Sequence, residues 1–129
     1  MVTPMRLYHY ACAHTRKAVG TRGMLQPHPQ PVLGGLRVLW LTDQEVPDRE
    51  GLGLTSLMLD CDRIAYRYIV DCDAVRYLDI RMVLHPMSRM TLETVPGARP
   101  DLWWMVSESV LGVLDRTYVQ SSAPDQETA

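Results

Sequence analysis

Three prolines at alternate positions, Pro27, Pro29 and Pro31, followed by Gly34-Gly35, rule out regular helix across residues 26–35. The chain must therefore complete one small unit before that break and begin another after it. The first unit reads as a strand from Arg6 to Cys12, rich in aromatic and small apolar residues. A short helix follows, Ala13 to Val19, ended by Gly20 or Gly23, and Met24-Leu25 enters an extended segment. The proline segment is expected to be a loop of about ten residues, a length that often lies over a site. Beyond it, Leu36 to Thr42 reads as a buried strand. Ile64 to Val70 reads as a half-buried one, with Tyr66, Tyr68 and Val70 on one face.

Between those strands, Asp43 to Leu54 is polar and glycine-bearing and predicts a loop. Asp73 to Leu78 suits a short helix with Asp73 as its N-cap, and a break falls at His85-Pro86. Pro100 to Val106 and Val110 to Tyr118 predict the last strands, with Ser107-Glu108-Ser109 between them. Adjacent residues of a strand face opposite sides, so Trp103 and Trp104 should enter different environments. These elements make an α+β protein with mainly antiparallel strands and short helices. The expectation is a single domain over residues 1–120 with a polar, disordered tail over 121–129.

At 129 residues one core is feasible without metal or disulfide support. The net charge is −2 and the pI about 6.0, which leaves no global basic field for non-specific nucleic-acid binding. Of the 13 basic residues only Lys17 is lysine, and phenylalanine is absent, the signature of a GC-rich genome such as that of an actinobacterium or its phages. Cys12, Cys61 and Cys72 have no metal-like spacing, and an odd count suits reduced thiols in the cytoplasm. No metal site is expected. No signal peptide opens the chain and no apolar run approaches the ~20 residues of a membrane span, so no membrane association is expected.

The chemistry-bearing residues come in a definite order. His9 stands between Tyr8 and Tyr10 on the first strand. Gly23-Met24-Leu25 follows the first helix. Val38-Leu39-Trp40-Leu41-Thr42 forms the next strong strand, and Glu108 precedes Val110-Leu111. This order resembles the ADP-ribosyltransferase superfamily in its His–aromatic–Glu branch, and is similar to small bacterial and phage members at their N-termini. In that branch the first strand reads Leu-Tyr/Trp-His-x-Thr/Ser, where this chain has Leu7-Tyr8-His9-Tyr10-Ala11. Gly23 and Leu25 match the "Gly-Leu" after the helix, and Trp40 stands where the second strand carries its aromatic. Ala11 departs from the Thr or Ser of the pattern. The resemblance covers the first 45 residues and is positional thereafter.

The resemblance implies an antiparallel split-sheet fold and NAD as the substrate. It also implies transfer of ADP-ribose to a protein or nucleic-acid acceptor, or hydrolysis of NAD. Breaking the nicotinamide–ribose bond builds positive charge on the sugar, and Glu108 is the expected catalytic carboxylate. His9 is expected to hold ribose hydroxyls, and Trp40 to stack on the nicotinamide. Tyr10 is placed with them in the binding set. Arg63 and Arg67, flanking Tyr66, are candidates for the pyrophosphate, with strand-face ion pairing as the alternative reading. Two other functions stay open: RNA 2′-phosphotransferase-like chemistry on the same fold, and a non-enzymatic phage or bacterial binding module on a degenerate one.

Overall fold

The computed structural model describes residues 5–46 and 64–118. Among them are eight strands, in two four-stranded antiparallel sheets, and three short helices. The first sheet has the order β1-β5-β8-β2, built from Met5–Ala11, Tyr66–Cys72, Val110–Thr117 and Arg22–Leu25. The second has the order β3-β4-β7-β6, from His28–Gln30, Leu36–Leu41, Trp104–Val106 and Val75–Arg76. The helices are α1 (Ala13–Val19), α2 (Tyr77–Ile80) and α3 (Pro86–Glu93).

Period-two burial along the strands builds two cores. Leu7, Ala11, Tyr68, Val70 and Leu25 of the first sheet meet Leu39 and Leu41 of the second. The alternate residues of β4 and β7, Val38 and Met105, join Tyr77, Leu102 and Trp103 in a second cluster against which Ile80 and Leu92 of α2 and α3 pack. The β4–β7 sheet is thus buried on both faces, which accounts for its unbroken apolar run from Val38 to Leu41. Trp103 enters the second core, whereas Trp104 packs on the first beneath the Arg76 guanidinium, 5.9 Å from the ring centroid.

Four local expectations change. The proline segment is not wholly loop: His28–Gln30 pairs with Leu36–Val38 as β3. Pro29 is tolerated there because β3 is an edge strand, where a missing N–H breaks no second ladder. Asp73 caps no helix; Val75–Arg76 forms β6 instead, and α2 starts after Arg76. Pro100–Leu102 is a 3-10 turn, so β7 begins only at Trp104. The break at His85-Pro86 becomes a helix start: His85 Nδ1 accepts from the Met87 N–H at 3.0 Å, and Pro86 occupies the first turn.

One polar knot fixes the helical layer. The Glu93 carboxylate accepts from the buried Tyr77 hydroxyl at 2.7 Å, and from Arg81 Nε and Nη2, each at 2.7 Å. Arg81 first, with help from Tyr77, holds the Glu93 carboxyl below its usual 4.5. A depressed carboxyl stabilises the fold fully above the unfolded value and loses that contribution as pH falls through the folded one. Acid unfolding monitored by circular dichroism should therefore steepen below pH 4.5 in the wild type and flatten in Glu93→Gln.

Candidate functional site

Among the described residues the backbones of the two sheets are joined by one antiparallel bridge, Tyr8 to Thr42, made by Tyr8 N–H to Thr42 O at 2.7 Å and Thr42 N–H to Tyr8 O at 2.9 Å. If that ladder continued, the next hydrogen-bonded pair would be Tyr10 with Trp40. Instead the strands diverge, and the carbonyl of Trp40 is satisfied by a side chain: His9 Nδ1 lies 2.9 Å from Trp40 O. A carbonyl only accepts, so Nδ1 carries the proton in this contact. Burial pushes the imidazole pKa below 6.5, against a smaller opposing effect of the Trp40 carbonyl. His9 is thus neutral at pH 7, with Nδ1 as donor and Nε2 as a bare acceptor.

Where the sheets part, a cleft of about 1080 Å³ opens between β1, α1, β3 and β4. His9, His14, Gln26, His28, Gln30 and Trp40 are on its walls. Its size lies at the upper end of ordinary small-molecule sites. Trp40 is half-buried and continues into an aromatic cluster, 6.2 Å from Tyr77 and 5.9 Å from Trp103 between ring centroids. The Trp40 ring is therefore held by packing on one side while the residue borders the cleft on the other.

The remaining candidates are distributed around this feature. Tyr10 borders the cleft, but its hydroxyl donates to Gln44 O at 2.7 Å, and burial raises its pKa to about 12. Arg67 pairs in register with Tyr10 across β1–β5. Its guanidinium forks onto Asp115, Nε to Oδ1 at 2.9 Å and Nη2 to Oδ2 at 2.6 Å. Nη1 donates to Glu45 O at 2.6 Å. The same group lies 4.5 Å from the Tyr8 ring centroid. These contacts follow the ion-pair alternative for Arg67. Arg63 lies outside the described residues. Glu108 is exposed in the connection between β7 and β8 and is not among the residues bordering the cleft. Its neighbour Ser109 donates to Gln26 Oε1 at 2.6 Å, which ties that connection to the cleft rim.

Gln26, His28 and Gln30 were not singled out by sequence reasoning. Their signal was nevertheless present: polar residues at 26, 28 and 30 alternate with prolines at 27, 29 and 31, and alternate residues of an extended segment share a side. Among the described residues no group of three or more His, Cys, Asp or Glu could hold a metal ion, and no helix is long and apolar enough to cross a membrane. No protein-family model, curated protein or solved structure matches the chain.

The His9 arrangement has a pH consequence. A histidine whose folded pKa is depressed favours folding when neutral, so stability is full above 6.5 and falls as pH drops through the folded value. Asn at position 9 can keep a donor near Trp40 O without titrating. Urea unfolding at a series of pH values should show a loss of stability below pH 6.5 in the wild type, and a smaller one in His9→Asn.

Proposed function

We propose that the cleft binds NAD, in the manner of ADP-ribosyltransferase-like proteins on a split antiparallel sheet. The observation that carries this reading is the tautomer of His9. A neutral imidazole locked with Nδ1 on Trp40 O presents an acceptor at Nε2, which suits a ribose hydroxyl. A phosphate group calls for donors, so the same tautomer disfavours the RNA 2′-phosphotransferase-like reading. Trp40 supplies an aromatic wall for the nicotinamide. Glu108 is the carboxylate proposed to stabilise charge developing on the ribose, reaching the ligand from the rim to which Ser109 and Gln26 tie its turn. The acceptor is a protein, a nucleic acid or water.

The exposed position of Glu108 favours one second reading, a module that binds without chemistry. Calorimetric titration with NAD and an assay of nicotinamide release separate the two. His9→Ala should weaken NAD binding at least tenfold in either case. Glu108→Gln should leave binding within about twofold and lower release about 10²-fold or more if the carboxylate acts in the reaction. Binding by the wild type with no release supports the binding module. No NAD binding by the wild type overturns the NAD reading, and the binding module then requires a different partner.

A further inference from the structure

Among the described residues, no Asp, Glu, Lys or Arg borders the cleft. Arg67, expected from the sequence to meet a pyrophosphate, is forked onto Asp115, donates to Glu45 O and is not on the cleft wall. A phosphate moved onto such a wall would shed its water without gaining a counter-charge, which is costly.

The neutral polar groups of the wall suit a different ligand. Gln30 Nε2 donates to His28 O at 3.2 Å and to Val38 O at 3.4 Å, which leaves Gln30 Oε1 as an acceptor. His9, with Nδ1 on Trp40 O, presents a second acceptor at Nε2. Gln26 accepts from Ser109 at Oε1 and keeps its amide N–H groups to donate. Two acceptors and one amide donor match a ligand bearing hydroxyl and amino or amide groups. Trp40 adds an aromatic surface, and Val32 and Leu39 are among the apolar residues beside it. A planar heterocycle joined to a sugar has all of these features. We propose that the cleft is a site for free, uncharged nucleosides, held by base and ribose, and that the phosphates of any bound nucleotide lie outside its walls. The choice of a ribose rests on the NAD reading, whereas the exclusion of phosphate rests on the composition of the wall.

Two properties follow. With no ionic contact to screen, affinity should scarcely depend on salt. With no counter-charge on the wall, a 5′-phosphate should add nothing to affinity.

The test is calorimetric titration of the full chain with adenosine, inosine, cytidine and uridine, then with the 5′-monophosphate of the tightest binder. At least one nucleoside should bind. Its monophosphate should bind no more tightly, and neither affinity should change more than about twofold between about 20 and 200 mM salt. Removing both ribose hydroxyls, as in the 2′,3′-dideoxy form, should weaken binding about tenfold. Gln30→Met keeps the length of the side chain, removes its acceptor and should weaken nucleoside binding about fivefold. A monophosphate that binds at least fivefold tighter than its nucleoside would give His14 or His28 a phosphate to hold and overturn the proposal. Binding by none of the four nucleosides overturns it as well, even where NAD binds. A nucleoside that binds where NAD does not sinks the NAD reading alone.

Discussion

Arg67→Ala should destabilise the protein by about 3 kcal/mol, the low end of the range for breaking a buried ion pair by removing one partner, because the Asp115 left behind can reach solvent. The side chains of Arg67 and Asp115 are only 8% and 21% exposed, so solvent screens the pair weakly. Truncation leaves the Asp115 carboxylate without its fork and the Glu45 carbonyl without its donor. It also removes the cation from the face of Tyr8, one residue before His9. The pair itself is worth far less than its breakage, because desolvating two charges offsets most of their attraction. Arg67→Met with Asp115→Leu should therefore recover most of the loss, to within about 1–2 kcal/mol of wild type. Urea unfolding of Arg67→Met, Asp115→Leu and the double variant, beside Arg67→Ala, measures this directly, with the cycle of the first three isolating the coupling. A double variant as unstable as Arg67→Ala would show that Glu45 and Tyr8, not Asp115, are the contacts that matter.

The antiparallel α+β character was legible because strand signals here are local. Leu36 to Thr42 and Ile64 to Val70 carry apolar runs and alternation that need no knowledge of partners. The helix over Ala13–Val19 was legible from its flanking glycine, and Gly20 does end it with φ 79°. Strand β3 was not, because proline argues against strands in general and only the edge position makes Pro29 acceptable. Edge position is a property of the assembled sheet. The burial of Arg67 was hidden for the same reason: its partners Asp115 and Glu45 lie 48 and 22 residues away. His9 could be singled out in the sequence by its cost between two tyrosines. Its tautomer could not, since that depends on where two sheets part and leave a carbonyl free.

Gly23 shows how a residue read as a motif acquires a physical reason. It pairs directly with Gly112 across β2–β8, so the two glycines share a face of the sheet. A Cβ on Gly23 would stand 2.6 Å from the carbonyl oxygen of Val19, the last residue of α1. A Cβ on Gly112 would stand 2.7 Å from Leu25 Cδ1 and 3.3 Å from Tyr68 Cδ2. The glycine pair lets the end of α1 and the Tyr68 ring lie close against the sheet, where the Tyr68 hydroxyl donates to Gly20 O at 2.7 Å. The two clashes differ in kind. At Gly112 the obstacle is a side chain of the core, Leu25, which is 1% exposed and must shift to make room, so Gly112→Ala should cost about 1–3 kcal/mol as ordinary overpacking. At Gly23 the obstacle is backbone, and relief requires the whole C-terminal end of α1 to lift from β2. Gly23→Ala should therefore cost at least as much, about 3 kcal/mol, and should also disturb the cleft, because Thr15, Ala18 and Val19 of α1 form part of its wall. Denaturant unfolding reads the first effect. On the proposed NAD reading, titration of the residual folded protein reads the second, with weaker binding expected for Gly23→Ala than for Gly112→Ala. Equal stability of Gly23→Ala and wild type would mean that α1 does not need its close approach to the sheet, and the same helix could then not be what sets the width of the cleft.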